Sequence, residues 1–165
     1  MMMSEITLRL DEEQEYDDMG SYNHSTVQAN LAFVFKQLGN YSVAIELSLD
    51  SSSLDPTLYR VKDELIPDVC IYPKRDLSIP FDILKMAEMP LLVVEVLSPR
   101  QFIASLLEKF KAYFALGVNS CWLVEPTTRT VHVYASMTQW QTFAADDTIH
   151  DPVLNSRIPC SEIFA

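Results

Sequence analysis

The chain has 165 residues, of which 48% are hydrophobic and 10% aromatic, enough for one compact core. Its three glycines, Gly20, Gly39 and Gly117, are too far apart to cradle a phosphate, which excludes Walker-type and dinucleotide-binding loops. Twelve Lys+Arg against 23 Asp+Glu give a net charge of −11, so the molecule as a whole should repel nucleic acid and anionic membranes. No apolar stretch approaches the roughly 20 residues of a membrane span, and the first residues carry no signal-peptide pattern, so a soluble, cytoplasmic protein with no membrane partner is expected.

Seven acids and one base precede Met19, so six of the eleven excess negative charges sit there. Residues 1–20 therefore read as an acidic, flexible arm, and 21–165 as a single domain without repeat or linker. After Asn23-His24-Ser25, apolar residues Val27, Leu31, Val34, Phe35 and Leu38 recur at helical spacing, and Gly39-Asn40 ends that helix. Tyr41 to Leu49 alternates as a strand, with Val43, Ile45, Leu47 and Leu49 on one face and Glu46 on the other. Ser51 to Pro56 reads as a turn, and Val69 to Tyr72, between two prolines, as a short buried strand. Asp76 to Met89 lacks periodicity and is expected to be a mobile connection with room for a short helix over Phe81 to Ala87.

Leu91 to Leu97 is a valine-rich apolar run of the kind found in a central strand covered on both faces. Ser98-Pro99 ends it, and Gln101 to Leu116 follows as an amphipathic helix with Phe102, Leu106, Phe110, Tyr113 and Phe114 on one stripe and Gly117 closing it. Cys121 to Val124, Thr130 to Tyr134 and Gln139 to Phe143 supply further strands, with Pro126 to Arg129 as a hairpin turn. The order predicts an α/β fold with a mixed central sheet flanked by helices, its central strand, long helix and next strand forming one crossover.

The odd, widely spaced Cys70, Cys121 and Cys160 suit buried, reduced thiols, and His24, His132 and His150 form no helical two-histidine metal motif. Glu95 is the residue out of place. A carboxylate in a strand buried on both faces costs several kcal/mol unless it is paired, protonated or metal-bound. Asp68 opens the preceding short strand. Two carboxylates at neighbouring strand ends can converge on one hard divalent cation, which favours Mg²⁺ or Mn²⁺. A lysine near such an ion can orient water and offset charge on a phosphate; Lys109 and Lys111 lie on the following helix, and the helical wheel slightly favours Lys109, in line with Ser105 and Tyr113, without deciding between them.

Pro67-Asp68-Val69, Val93 to Pro99, Glu108-Lys109-Phe110 with Tyr113 and Gly117, and Trp122 to Pro126 with Val131 to Tyr134 occur in an order that resembles a restriction-endonuclease family expanded in cyanobacteria. That family belongs to the PD-(D/E)XK nuclease superfamily, and the resemblance runs from about Asn23 to the C-terminus. It implies a restriction endonuclease-like fold, Asp68 and Glu95 as metal ligands, and a catalytic lysine moved onto the helix at Lys109, since Leu97 stands where most of the superfamily carries lysine. Ser105 and Arg100 depart from the family's pattern. The first helix lacks the acid that many superfamily members add to the metal site; Gln28 or Glu46 could substitute there. His24 stands where relatives often carry histidine, although a helix-start or solvated role is the expectation.

Together these readings imply a Mg²⁺- or Mn²⁺-dependent endonuclease that hydrolyses phosphodiester bonds in DNA as a homodimer, with Asp68, Glu95 and Lys109 as its catalytic residues and no organic cofactor. Lys74, Arg75, Lys85 and Arg100 are the bases expected to line a DNA cleft. The scarcity of bases leaves an alternative: a catalytically inactive nuclease-fold interaction module whose acidic arm binds a basic partner or blocks the cleft.

Overall fold

A computed structural model describes residues 20–165. The expected acidic arm thus lies, up to Met19, outside the described residues. Helix α1 (Tyr22–Gln37) begins where the Ser21 side chain accepts the His24 amide at 3.2 Å. It leads into a six-stranded sheet with spatial order β1-β4-β5-β6-β7-β8. The strands are β1 (Tyr41–Ile45), β4 (Val69–Pro73), β5 (Leu92–Val96), β6 (Ser120–Glu125), β7 (Thr130–Ser136) and β8 (Gln139–Ala144). Only β5 and β6 run parallel, joined through helix α2 (Ile103–Leu116); the other neighbours are antiparallel. The mixed sheet between helices matches the sequence reading.

Strand β5 is buried along its whole length, as its valine content requires. Because side chains alternate, Leu92, Val94 and Val96 join α1 residues Val27, Leu31 and Phe35 in one core layer, whereas Val93 joins α2 residues Leu106, Phe110 and Tyr113 in the other. Glu95 shares the Val93 side and therefore faces α2. Gly117 closes α2 with φ of 104°, a left-handed conformation that favours glycine.

The strand expected over Tyr41 to Leu49 divides. It ends at Ile45, and Glu46 takes a positive φ of 52°, which breaks the two-residue alternation. The chain then forms β2 (Leu49–Asp50) and β3 (Glu64–Leu65), a short pair outside the main sheet. No helix forms over Phe81 to Ala87; Pro80 and exposed apolar residues there leave no packed stripe. Phe102 likewise leaves the expected stripe: it precedes α2 and is exposed. Strands β9 (Thr148–Asp151) and β10 (Ser156–Pro159) and a short helix α3 (Cys160–Ile163) complete the α1 side. Buried Asp151 fixes β9 to the sheet by accepting from Ser120 Oγ and, at 2.7 Å, from Trp122 Nε1. All three cysteines are free and buried, as expected.

Candidate active site

Asp68 stands immediately before β4 and Glu95 near the end of β5, which runs antiparallel to β4, so both reach the same end of the sheet. They border one cavity of about 610 Å³, together with Lys109 from α2, His24 from α1 and Glu46 from the bend after β1. The three residues expected from the sequence to be catalytic are thus brought together.

Glu95 is only 2% exposed. Its Oε1 accepts a 2.7 Å hydrogen bond from the Tyr113 hydroxyl and lies 3.6 Å from Lys109 Nζ. Lys109 and Tyr113 are four residues apart on α2, so one helix face delivers both donors. Burial pushes the Glu95 carboxyl up to about 7; the Lys109 charge opposes that rise, the Asp68 charge adds to it, and the Tyr113 bond opposes it. Engagement of Oε1 on the helix side leaves Oε2 for the cavity. Lys111, the other lysine left open by the helical wheel, instead reaches the Leu58 carbonyl at 3.4 Å and the Tyr59 ring.

Asp68 is held by its neighbours. Its Oδ2 accepts the Val96 amide at 2.6 Å, and its Oδ1 lies 3.2 Å from His24 Nε2. The hydrogen bond to Asp68 raises the His24 pKa, against desolvation. His24 is buried in the first turn of α1, which corrects the expectation of a solvated or merely helix-starting histidine. Its Nδ1 is buried without a hydrogen-bond partner among the described residues. Gln28, one turn further along, donates to the Asp68 carbonyl at 2.9 Å and approaches Glu46 Oε1 at 3.5 Å. Gln28 therefore braces the site, whereas Glu46 borders the cavity itself.

The basic lining differs from expectation. Lys74, Arg75, Lys85 and Arg100 do not border this cavity; Arg60 and Lys62 do, together with Lys109. Lys74, Arg75 and Lys85 lie on the connection between β4 and β5, where Arg75 is paired with Glu88, and Arg100 lies on the β5–α2 connection between the cavity-lining Ser98 and Gln101 without itself bordering the cavity. Arg60 and Lys62 sit on the chain between β2 and β3, a short pair too weakly patterned to be read from the sequence.

Among the described residues no group of three or more His, Cys, Asp or Glu forms a ready metal cage. Two carboxylates at one cavity nevertheless fit Mg²⁺ or Mn²⁺, hard ions that commonly bind one or two carboxylates and take further oxygens from water and substrate phosphate. Glu95 Oε2 and the Asp68 carboxylate supply the required oxygen chemistry. No helix in the described residues is long and apolar enough to cross a membrane.

A crystal structure titled as a putative nuclease belonging to DUF820 from Anabaena variabilis matches with a TM-score of 0.72 and 18% identity, over 90% of this chain and 83% of that one. At that identity the likeness shows a shared fold. No curated protein matches. The model of the Uma2 family, described as "Putative restriction endonuclease", matches residues 7–158, and the chain belongs to that family.

Proposed function

We propose that the protein is a divalent-metal-dependent endonuclease that hydrolyses phosphodiester bonds in DNA. The observation that carries this reading is a buried Glu95 carboxylate sharing one cavity with Asp68 and Lys109. A charge so placed is costly as a packing element and useful as a ligand. Asp68 and Glu95 would hold Mg²⁺ or Mn²⁺. Bound there, the ion would lower the pKa of a coordinated water and offset charge on the scissile phosphate.

The chain's own residues contribute orientation. Tyr113 holds Glu95 Oε1 on the helix side, while His24 and the Val96 amide fix the two Asp68 oxygens. Lys109 carries a positive charge to the cavity, where it orients the attacking water and stabilises the phosphate as negative charge develops. A homodimer would present two such cavities, one for each strand of a duplex.

Calorimetry tests the metal centre. Mn²⁺ added to wild type should produce a saturable heat, and Glu95→Gln, which removes a direct ligand, should weaken the affinity by at least the roughly 10–100-fold that loss of an outer-sphere partner costs. Identical traces for the two proteins would contradict it.

A further inference from the structure

Arg60 and Lys62 border a cavity that is also lined by five carboxylates, those of Glu46, Glu64, Asp68, Glu95 and Glu108. Acidic partners are therefore close at hand, yet among the described residues neither cation forms an ion pair. The backbone that carries them is nonetheless fixed. Buried Ser51 donates its hydroxyl to the Lys62 carbonyl at 2.6 Å and its amide to the Asp63 carbonyl at 3.0 Å. From the other side, Lys111 of α2 reaches the Leu58 carbonyl, and its ammonium lies 5.5 Å from the centre of the Tyr59 ring.

A guanidinium and an ammonium held on a braced segment, with no ion-pair or side-chain hydrogen-bond partner among the described residues, are suited to an anion that arrives with a ligand. The chain's net charge of −11 cannot attract a polyanion over long range, so any attraction to DNA must be local to the cleft. Lys109 already faces Glu95, which leaves Arg60 and Lys62 as the cavity's basic pair without an ion-pair partner among the described residues.

We propose that Arg60 and Lys62 form a phosphate-binding wall that grips the backbone of the DNA strand lying in this cavity. The inference rests on the nuclease reading and adds to it the residues that hold the substrate. Contacts of this type set position on the strand and carry no base preference.

The test is the salt dependence of binding by the full-length chain to a fluorescent DNA duplex, followed by anisotropy in chelator so that no cleavage occurs. Each lost phosphate contact flattens the plot of log affinity against log salt by about 0.9. Arg60→Gln/Lys62→Gln should therefore lower the slope by about 2 and weaken binding on the order of 10–100-fold at 0.1 M salt. In plasmid nicking, the same double variant should raise KM while kcat stays near wild type. Lys74→Gln/Lys85→Gln, outside the cavity, should change neither. A wild-type slope and KM in the cavity variant, or an equal loss in the control, would overturn the phosphate wall while nicking by wild type keeps the nuclease reading intact. Wild type that neither binds nor nicks would overturn both.

Discussion

Glu95 determines how this molecule responds to pH. Burial raises its carboxyl from 4.5 to about 7, so the folded state holds the proton more tightly than the unfolded chain does. The stabilisation linked to that proton is fully present below about pH 4.5 and is lost as pH rises through 7, leaving a cost on the order of 2–3 kcal/mol above it. His24 acts in the same direction: its pKa is raised by Asp68, so its contribution is complete below 6.5 and fades as pH rises through the raised value. Glu95→Gln should therefore be more stable than wild type at pH 8 in the absence of divalent metal, by roughly 2 kcal/mol, with the gap closing towards pH 5. Urea denaturation at the two pH values measures this; equal or lower stability of the variant at pH 8 would contradict the assigned environment. Glu95 was legible in the sequence because one acid interrupts a run of valines. His24 is marked in the sequence only through the family resemblance, because its role depends on Asp68, 44 positions away, which no local pattern connects to it.

At the scale of elements, β5 and α2 were readable because their periodicities are long and distinct. Both carry the site: β5 supplies Glu95, and one face of α2 supplies Lys109 and Tyr113. The wheel favours Lys109 over Lys111 only slightly; packing separates them, by sending one to Glu95 and the other to Leu58 and Tyr59. Lys109→Met should consequently reduce plasmid nicking by on the order of 100-fold or more, whereas Lys111→Met should stay within about threefold of wild type. Equal losses would place the working lysine wrongly. Short elements leave no such pattern in the sequence. Strands of two to four residues, such as β2, β3, β9 and β10, are too brief to show alternation. The break at Glu46 is hidden for another reason: its positive φ has no glycine to announce it, so an apparently continuous strand is two elements with a cavity-lining acid between them.

For the whole molecule, the mixed sheet was legible from element order, and the cleft's electrostatics were not. Net charge suggests poor affinity for nucleic acid, and the cavity itself holds five carboxylates against Arg60, Lys62 and Lys109; total charge does not show that those three bases share one cavity. Their convergence depends on bringing the β2–β3 connection beside α2, a tertiary event. If two cavities serve the two strands of a duplex, light scattering at micromolar concentration should give about twice the 18.8 kDa chain mass, and a monomer mass throughout would reject the homodimer.

The most direct measurement of the central claim is nicking of supercoiled plasmid by wild type and Glu95→Gln, purified side by side, with Mg²⁺ and with Mn²⁺. The substitution keeps the shape of the side chain and removes the charge that would bind metal. Metal-dependent nicking by wild type that falls by at least about 100-fold in the variant is the predicted result. Nicking by neither protein, or equally by both, would contradict a metal-dependent nuclease centred on Glu95 and favour the interaction module.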